Sequence, residues 1–228
     1  VSRRIAIPRP SDFGTVGGWY PPGDRTATLI SGKYSVSPDR SGNGWDLLQG
    51  TAGQRPSKVT SGGRPARRYV AANSTYMATA SFGAIAHPIV YWIVLKLTTQ
   101  TGVSPPTPFY TYVGGGVGDA LYAPDGTHVN LYGDTLTIGA AFDMTAGFAS
   151  YVGICNGVSS SLRINGTQVA SGTLAGSSFT AFTEGSIAPV GGGQEIDGDV
   201  LDSGFFLGLP PSIPDFEKYY LRREFQTW

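Results

Sequence analysis

The sequence predicts an all-β fold, a β-sandwich with an extended N-terminal arm and one short C-terminal helix. Three observations carry that prediction. Glycine (33) and proline (16) are abundant and only 14% of residues are charged, a composition that suits short strands joined by tight turns. The strongest apolar segment, "HPIVYWIVLKL", alternates with period two and is apolar on both faces, as a central strand requires. A 3.6-residue apolar period appears only at the end of the chain.

Taken in order, residues 1–18 read as the arm, with Pro8, Pro10 and a "GTVGG" segment that favours irregular backbone. Ile5, Ile7, Phe13 and the adjoining Trp19 give it apolar anchors, so it either frays or docks on a neighbour. Residues 19–228 form one domain, with no repeat of fixed period. The loop "SPDRSGNGWDLLQG" delivers Trp45, Leu47 and Leu48 toward a core. In the strand from Ile89, residues Tyr91, Ile93, Leu95 and Leu97 share one face, and Trp92, Val94 and Lys96 the other. "SSSLRINGTQVASG" reads as a hairpin turning at Asn165-Gly166, because both central positions of a type I′ turn need positive φ. A last strand in "GGGQEIDGDVLDSGFF" should turn Val200 and Phe206 to the core and Glu195, Asp197 and Asp199 to an acidic outer face. Ser212 then caps a helix, with Asp215 in the capping-box position and Ile213, Phe216, Tyr220, Leu221 and Phe225 on its apolar side.

Bulk properties narrow the function. A single cysteine, Cys155, rules out an internal disulfide and reads as a buried small residue. The longest apolar run, Ile89–Leu95, is far short of the ~20 residues of a membrane span, and the N-terminus lacks a signal-peptide apolar core. Zero net charge conceals a division: eleven basic residues to four acidic over residues 1–70, and five to twelve over 71–228, so +7 stands against −7. The basic residues are scattered rather than clustered, which disfavours nucleic acid and favours contact with an acidic protein neighbour.

Four segments in order resemble the laminin-G-like, concanavalin A-like jelly-roll domains of lectins and bacteriophage particle proteins: "GKYSVSPDRSGNGWDLLQGTAGQRPSKV", "GGRPARRYVAANSTYM", "SLRINGTQVASG" and "GQEIDGDVLDSGFFLGLPPSIPDFEKYYLRREF". They cover about residues 30–226. One departure is Asp202, where the family commonly carries Glu. The resemblance implies a concanavalin A-like jelly roll and a non-enzymatic virion structural protein, head decoration or tail-associated, assembled in the host cytoplasm. Its expected partners are other virion proteins, in a homo-oligomer or a capsid or tail lattice. Assembly contacts are then expected from Arg3, Arg4, Ile5, Ile7, Arg9 and Phe13 of the arm and from Glu195, Asp197 and Asp199.

Other chemistry finds weaker support in the residues. "EIDGD" matches the carboxylate spacing of laminarinase-like hydrolases that share the fold, but Asp199 replaces the longer acid/base Glu and only 29 residues follow it. Asp119, Asp125, Asp134, Asp197 and Asp199 are candidate calcium ligands without a compact Asp-rich loop, and His87, His128 and Cys155 lack ligand spacing. No G-x-S-x-G elbow occurs, and "GGGVGD" precedes no helix. Neither a catalytic residue, a metal nor a cofactor is therefore expected. The alternative function is a carbohydrate-binding, lectin-like module for a cell-surface glycan. Tyr122, Asp125, His128, Asn130 and Tyr132, in glycine-rich hairpins, supply rings for stacking and polar groups for hydroxyls.

Overall fold

A computed structural model describes residues 8–100, 106–113, 116–133, 136–174, 178–185 and 194–225. These residues form strands β1 (Val16–Trp19), β2 (Thr28–Ile30), β3 (Lys33–Ser37), β4 (Leu47–Leu48), β5 (Ser57–Ser61), β6 (Arg64–Tyr69), β7 (Met77–Thr79), β8 (Ile89–Leu97) and β9 (Phe109–Val113). They continue with β10 (Gly116–Tyr122), β11 (His128–Gly133), β12 (Leu136–Ala141), β13 (Ala149–Cys155), β14 (Ser160–Ile164), β15 (Thr167–Gly172), β16 (Ala181–Glu184) and β17 (Gly198–Leu207).

All strand pairings are antiparallel, and they define two layers. The first runs β15-β14-β13-β8-β17. The outer edge of β17 is shared by β6, along its first half, and β1, along its second. The second runs β2-β3-β4-β7-β16-β9-β10-β11-β12. One bridge, Lys33 to Ser57, joins the layers at a corner where β5 leaves β6.

Strand β8 explains its own sequence. Tyr91, Ile93, Leu95 and Leu97 enter the core between the layers, among Phe109, Leu121, Leu131, Phe179, Phe182 and Phe205. Val90, Trp92 and Val94 point the other way and are equally buried. They are covered by the C-terminal helix α1 (Ile213–Phe216), which runs on as a π-helical turn, Glu217–Arg222, and ends at Arg223–Phe225. Ser212 Oγ accepts from the Asp215 amide at 3.2 Å, the cap that the sequence predicts. Phe216 sits edge-on to Trp92 (5.2 Å) and Phe206 (5.0 Å). Burying an aromatic ring at each of these positions is what drives a helix this short to form, since isolated helices of its length do not persist in water.

The beginning of the chain differs from the expected arm. Val16–Trp19 is a strand on β17, not irregular backbone, and Phe13 packs on Phe216 at 5.7 Å. Gly17 and Gly18 permit this, because a Cβ at either position would collide with the Phe205 ring. The described part of the arm thus docks on its own sandwich; Arg3, Arg4, Ile5 and Ile7 lie outside the described residues. The Asn165-Gly166 turn has φ of 50° and 80°, as expected of type I′, and Cys155 is a buried free thiol.

Candidate functional site

The hairpin β10–β11 and its neighbour β12 bring the five glycan-candidate residues to one side of the second layer. Leu121, Val129 and Leu131 turn inward and are fully buried. Period two therefore turns Tyr122, His128, Asn130 and Tyr132 outward. Register places Tyr122 opposite Asn130, Ala120 opposite Tyr132, and Tyr132 opposite Thr137. Asn130 Nδ2 donates to Tyr122 Oη at 3.2 Å, and Tyr122 Oη lies 3.5 Å from Thr137 Oγ1. Asn130 also faces Gly139, whose missing side chain leaves room for its amide: a Cβ there would overlap Asn130 Oδ1.

The loop between β10 and β11 fixes the remaining two residues. Asp125 accepts from the Thr127 amide (2.7 Å), the Thr127 hydroxyl (2.9 Å) and the His128 amide (2.8 Å). His128 Nδ1 approaches its Oδ2 at 3.0 Å. The Thr127 amide, with His128, brings the Asp125 carboxyl down to about 2. The result is an exposed face with two half-buried tyrosines, an amide and one firmly ionised carboxylate at its end.

The acidic row before the last strand is arranged otherwise. Strand β17 begins only at Gly198, and Ile196 enters the core. Asp197 accepts from the Ala71 amide at 2.7 Å, and Glu195 is half-buried nearby in sequence. Asp199, expected on an open acidic face, is buried. Arg68 holds it with two bonds, 2.7 and 2.8 Å, and Ser61 with a third at 2.6 Å. Burial works against its charge, yet Arg68 and Ser61 outweigh burial and lower its pKa. A carboxyl kept ionised in this way is a poor match to a general acid.

That pairing belongs to a wider pattern. Arg64 binds Glu224 (2.8 Å), Arg67 binds Glu184 (2.6 Å) and Arg68 binds Asp199 (2.7 Å). Three arginines of the basic first third therefore meet acids of the acidic remainder inside one fold. The charge division read from the sequence is in good part internal.

Sequence reasoning missed the buried polar clusters. Asp202 accepts from Trp19 Nε1 (3.0 Å), Trp92 Nε1 (2.9 Å) and Tyr220 Oη (2.9 Å). Asp119 takes His87 Nε2 (2.8 Å) and Tyr91 Oη (2.7 Å) within the core. Arg9 and Trp19 line two adjoining clefts of about 280 and 530 Å³, at the side where the chain enters the sandwich. Arg40 and Arg64 on their rims are engaged by Asp24 and Glu224.

No protein-family model matches the sequence, and no curated protein matches it significantly. Solved structures do match in shape. The chain is similar to a Trypanosoma rangeli sialidase in complex with 2,3-difluorosialic acid, with a TM-score of 0.65 and 11% identity over 96% of this chain and 34% of the sialidase. It is similar to the botulinum neurotoxin type G receptor binding domain, with a TM-score of 0.65 and 10% identity over 92% of this chain and 52% of that one. The fold that these structures share with the chain is an antiparallel β-sandwich. Domain 4 of AbnA, an extracellular arabinanase of Geobacillus stearothermophilus in complex with arabinotriose, shares the sandwich at a TM-score of 0.54 and 12% identity, over 75% of this chain and 81% of that domain. The chain spans about a third of the sialidase and about half of the neurotoxin domain.

Proposed function

We propose that the protein is a non-catalytic carbohydrate-binding module that holds a glycan on the outer face of β10–β12. The observation that carries this reading is the convergence of Tyr122, Asn130 and Tyr132, flanked by His128 and Asp125, on one exposed face. Tyrosine rings offer apolar surface to the carbon-bound faces of a sugar, while amide and carboxylate groups bond its hydroxyls. The sandwich is shared with a domain solved holding arabinotriose and with a neurotoxin receptor binding domain, which supports the same reading. A glycan array should give binding above background, and Tyr122→Ala and Tyr132→Ala should each weaken it by about tenfold, in line with loss of a ~1–1.5 kcal/mol ring contact. No binding by the unaltered protein to any glycan would overturn the proposal.

A virion structural role, acting through protein contacts, is the second reading. It rests on the sequence resemblance and on the net positive charge of residues 1–70, of which Arg9 remains exposed. The similar structures named above are not phage proteins, and Arg64, Arg67 and Arg68 are committed within the chain. Removal of residues 1–7 leaves β1 intact and is the direct test: undiminished incorporation into a particle would count against the arm as an assembly contact. For the hydrolase alternative, reducing-sugar release from β-glucans that Glu195→Gln abolishes would overturn the non-catalytic reading.

A further inference from the structure

Resting on the glycan-binding reading, we infer that the β10–β12 face selects uncharged glycans and discriminates against sialylated or uronic-acid-bearing ones. The basis is where this chain puts its charges. No lysine or arginine occurs between Lys96 and Arg163, nor between Arg163 and Lys218. Strands β9 to β12 and β16 therefore carry no permanent cation. On the strands of the second layer the first permanent cation met is Lys33 on β3, five strand spacings from β10, and Arg55, in the loop after β4, is held by the Gln49 and Gly50 carbonyls at 3.0 and 2.7 Å. At 4.7–4.9 Å per spacing that is about 24 Å, well beyond the screening length of physiological salt, ~8 Å. Arg163, on β14 of the other layer, is engaged by Glu217 with contacts of 2.8–3.0 Å.

Recognition of a sugar carboxylate calls for a charge-assisted donor, usually the two-pronged guanidinium of arginine. The fixed charge on this face has the opposite sign. Asp125 is locked by the Thr127 and His128 amides, and the histidine that touches it at 3.0 Å at most balances that charge. A sialate or uronate brought to within ~4 Å of Asp125 meets a like charge whose repulsion in water amounts to about a fivefold loss of affinity. A neutral sugar meets none of this, and its hydroxyls can donate to the same carboxylate while its ring lies on Tyr122 or Tyr132.

The test uses the full chain and matched pairs of glycans: lactose with 3′-sialyllactose, and xylo-oligosaccharides with their glucuronic-acid-substituted counterparts, by titration at low and high salt. The neutral member of the bound pair should be preferred by ~5-fold or more at low salt, and the preference should shrink at high salt. Asp125→Asn should narrow it, and Thr137→Arg, an exposed position opposite Tyr132, should reverse it. Thermal melts of both variants establish that they fold. Equal or tighter binding of the charged member by the unaltered protein overturns this inference and leaves the glycan-binding reading standing. Failure of every glycan to bind overturns both.

Discussion

Arg67 and Glu184 form a fully buried two-pronged ion pair, Nε to Oε1 at 2.6 Å and Nη2 to Oε2 at 2.8 Å, that ties β6 of one layer to β16 of the other. Around it, Tyr69 Oη donates to Glu184 at 2.6 Å, and Arg67 donates to Ser37 Oγ and to the Tyr20 carbonyl at 3.0 and 2.8 Å. Ser203 also donates to Glu184. Each charge is thus answered inside the core, the condition under which a buried pair is tolerated.

Removing one partner leaves the other charged and unanswered. Arg67→Met should therefore destabilise the protein by about 3–5 kcal/mol in urea unfolding, and the double variant Arg67→Met, Glu184→Met should recover most of that. A single variant within 1 kcal/mol of the parent would show that Glu184 is relieved by another route.

Asp202 sets a pH dependence of unusual sign for a carboxylate. Burial pushes its carboxyl up to about 7, and the donors Trp92, Tyr220 and Trp19 only partly pull it back. Unfolded, it titrates near ~3.9. Between those values the folded chain holds a proton that the unfolded chain has lost. Its contribution is complete at low pH and is lost as pH rises toward about 7, by about 1.4 kcal/mol per unit. Unfolding free energies of the parent and of Asp202→Asn, compared between pH 4.5 and 7, should diverge with that slope, the parent losing ground as pH rises. Parallel curves would place the group's pKa at its ordinary value.

Gly139 tests how the candidate face is built. Gly139→Ala would drive a Cβ into Asn130 Oδ1 and to 2.8 Å from the Val129 carbonyl. The amide must then swing away from Tyr122. Glycan affinity should fall about 5- to 10-fold, the worth of one hydrogen bond. Asn130→Ala should cost the same, and the double variant no more than either, as residues acting through one contact behave. Additive losses would mean that Gly139 acts independently of the amide.

Much of this architecture was legible where a signal is local. Apolar residues on both faces of Ile89–Leu97 called for cover on two sides, and the helix starting at Ser212 supplies the second. The Asn165-Gly166 turn follows from backbone sterics alone. The outward set Tyr122, His128, Asn130 and Tyr132 follows from period two once the hairpin is placed. What was hidden depends on partners far along the chain. Asp199 looked like part of an open acidic row because Arg68, 131 residues away, is not announced by anything near it. Asp202 looked like a minor departure from a family pattern, yet it gathers donors from β1, β8 and the helix. Val16–Trp19 looked irregular because two glycines are poor strand formers in isolation, and only Phe205 behind them explains why side chains are missing there.

The docking of Phe13 against Phe216 has a practical corollary. Both the entry of the described chain at Pro8 and its exit at Phe225 lie on the helix-covered side of the sandwich, with Tyr122 and Tyr132 on the other. A bead, a fluorophore or a companion protein attached at Lys218, exposed on that helix, would leave the tyrosines presented to solution, so immobilised and multivalent formats should retain whatever the free protein recognises.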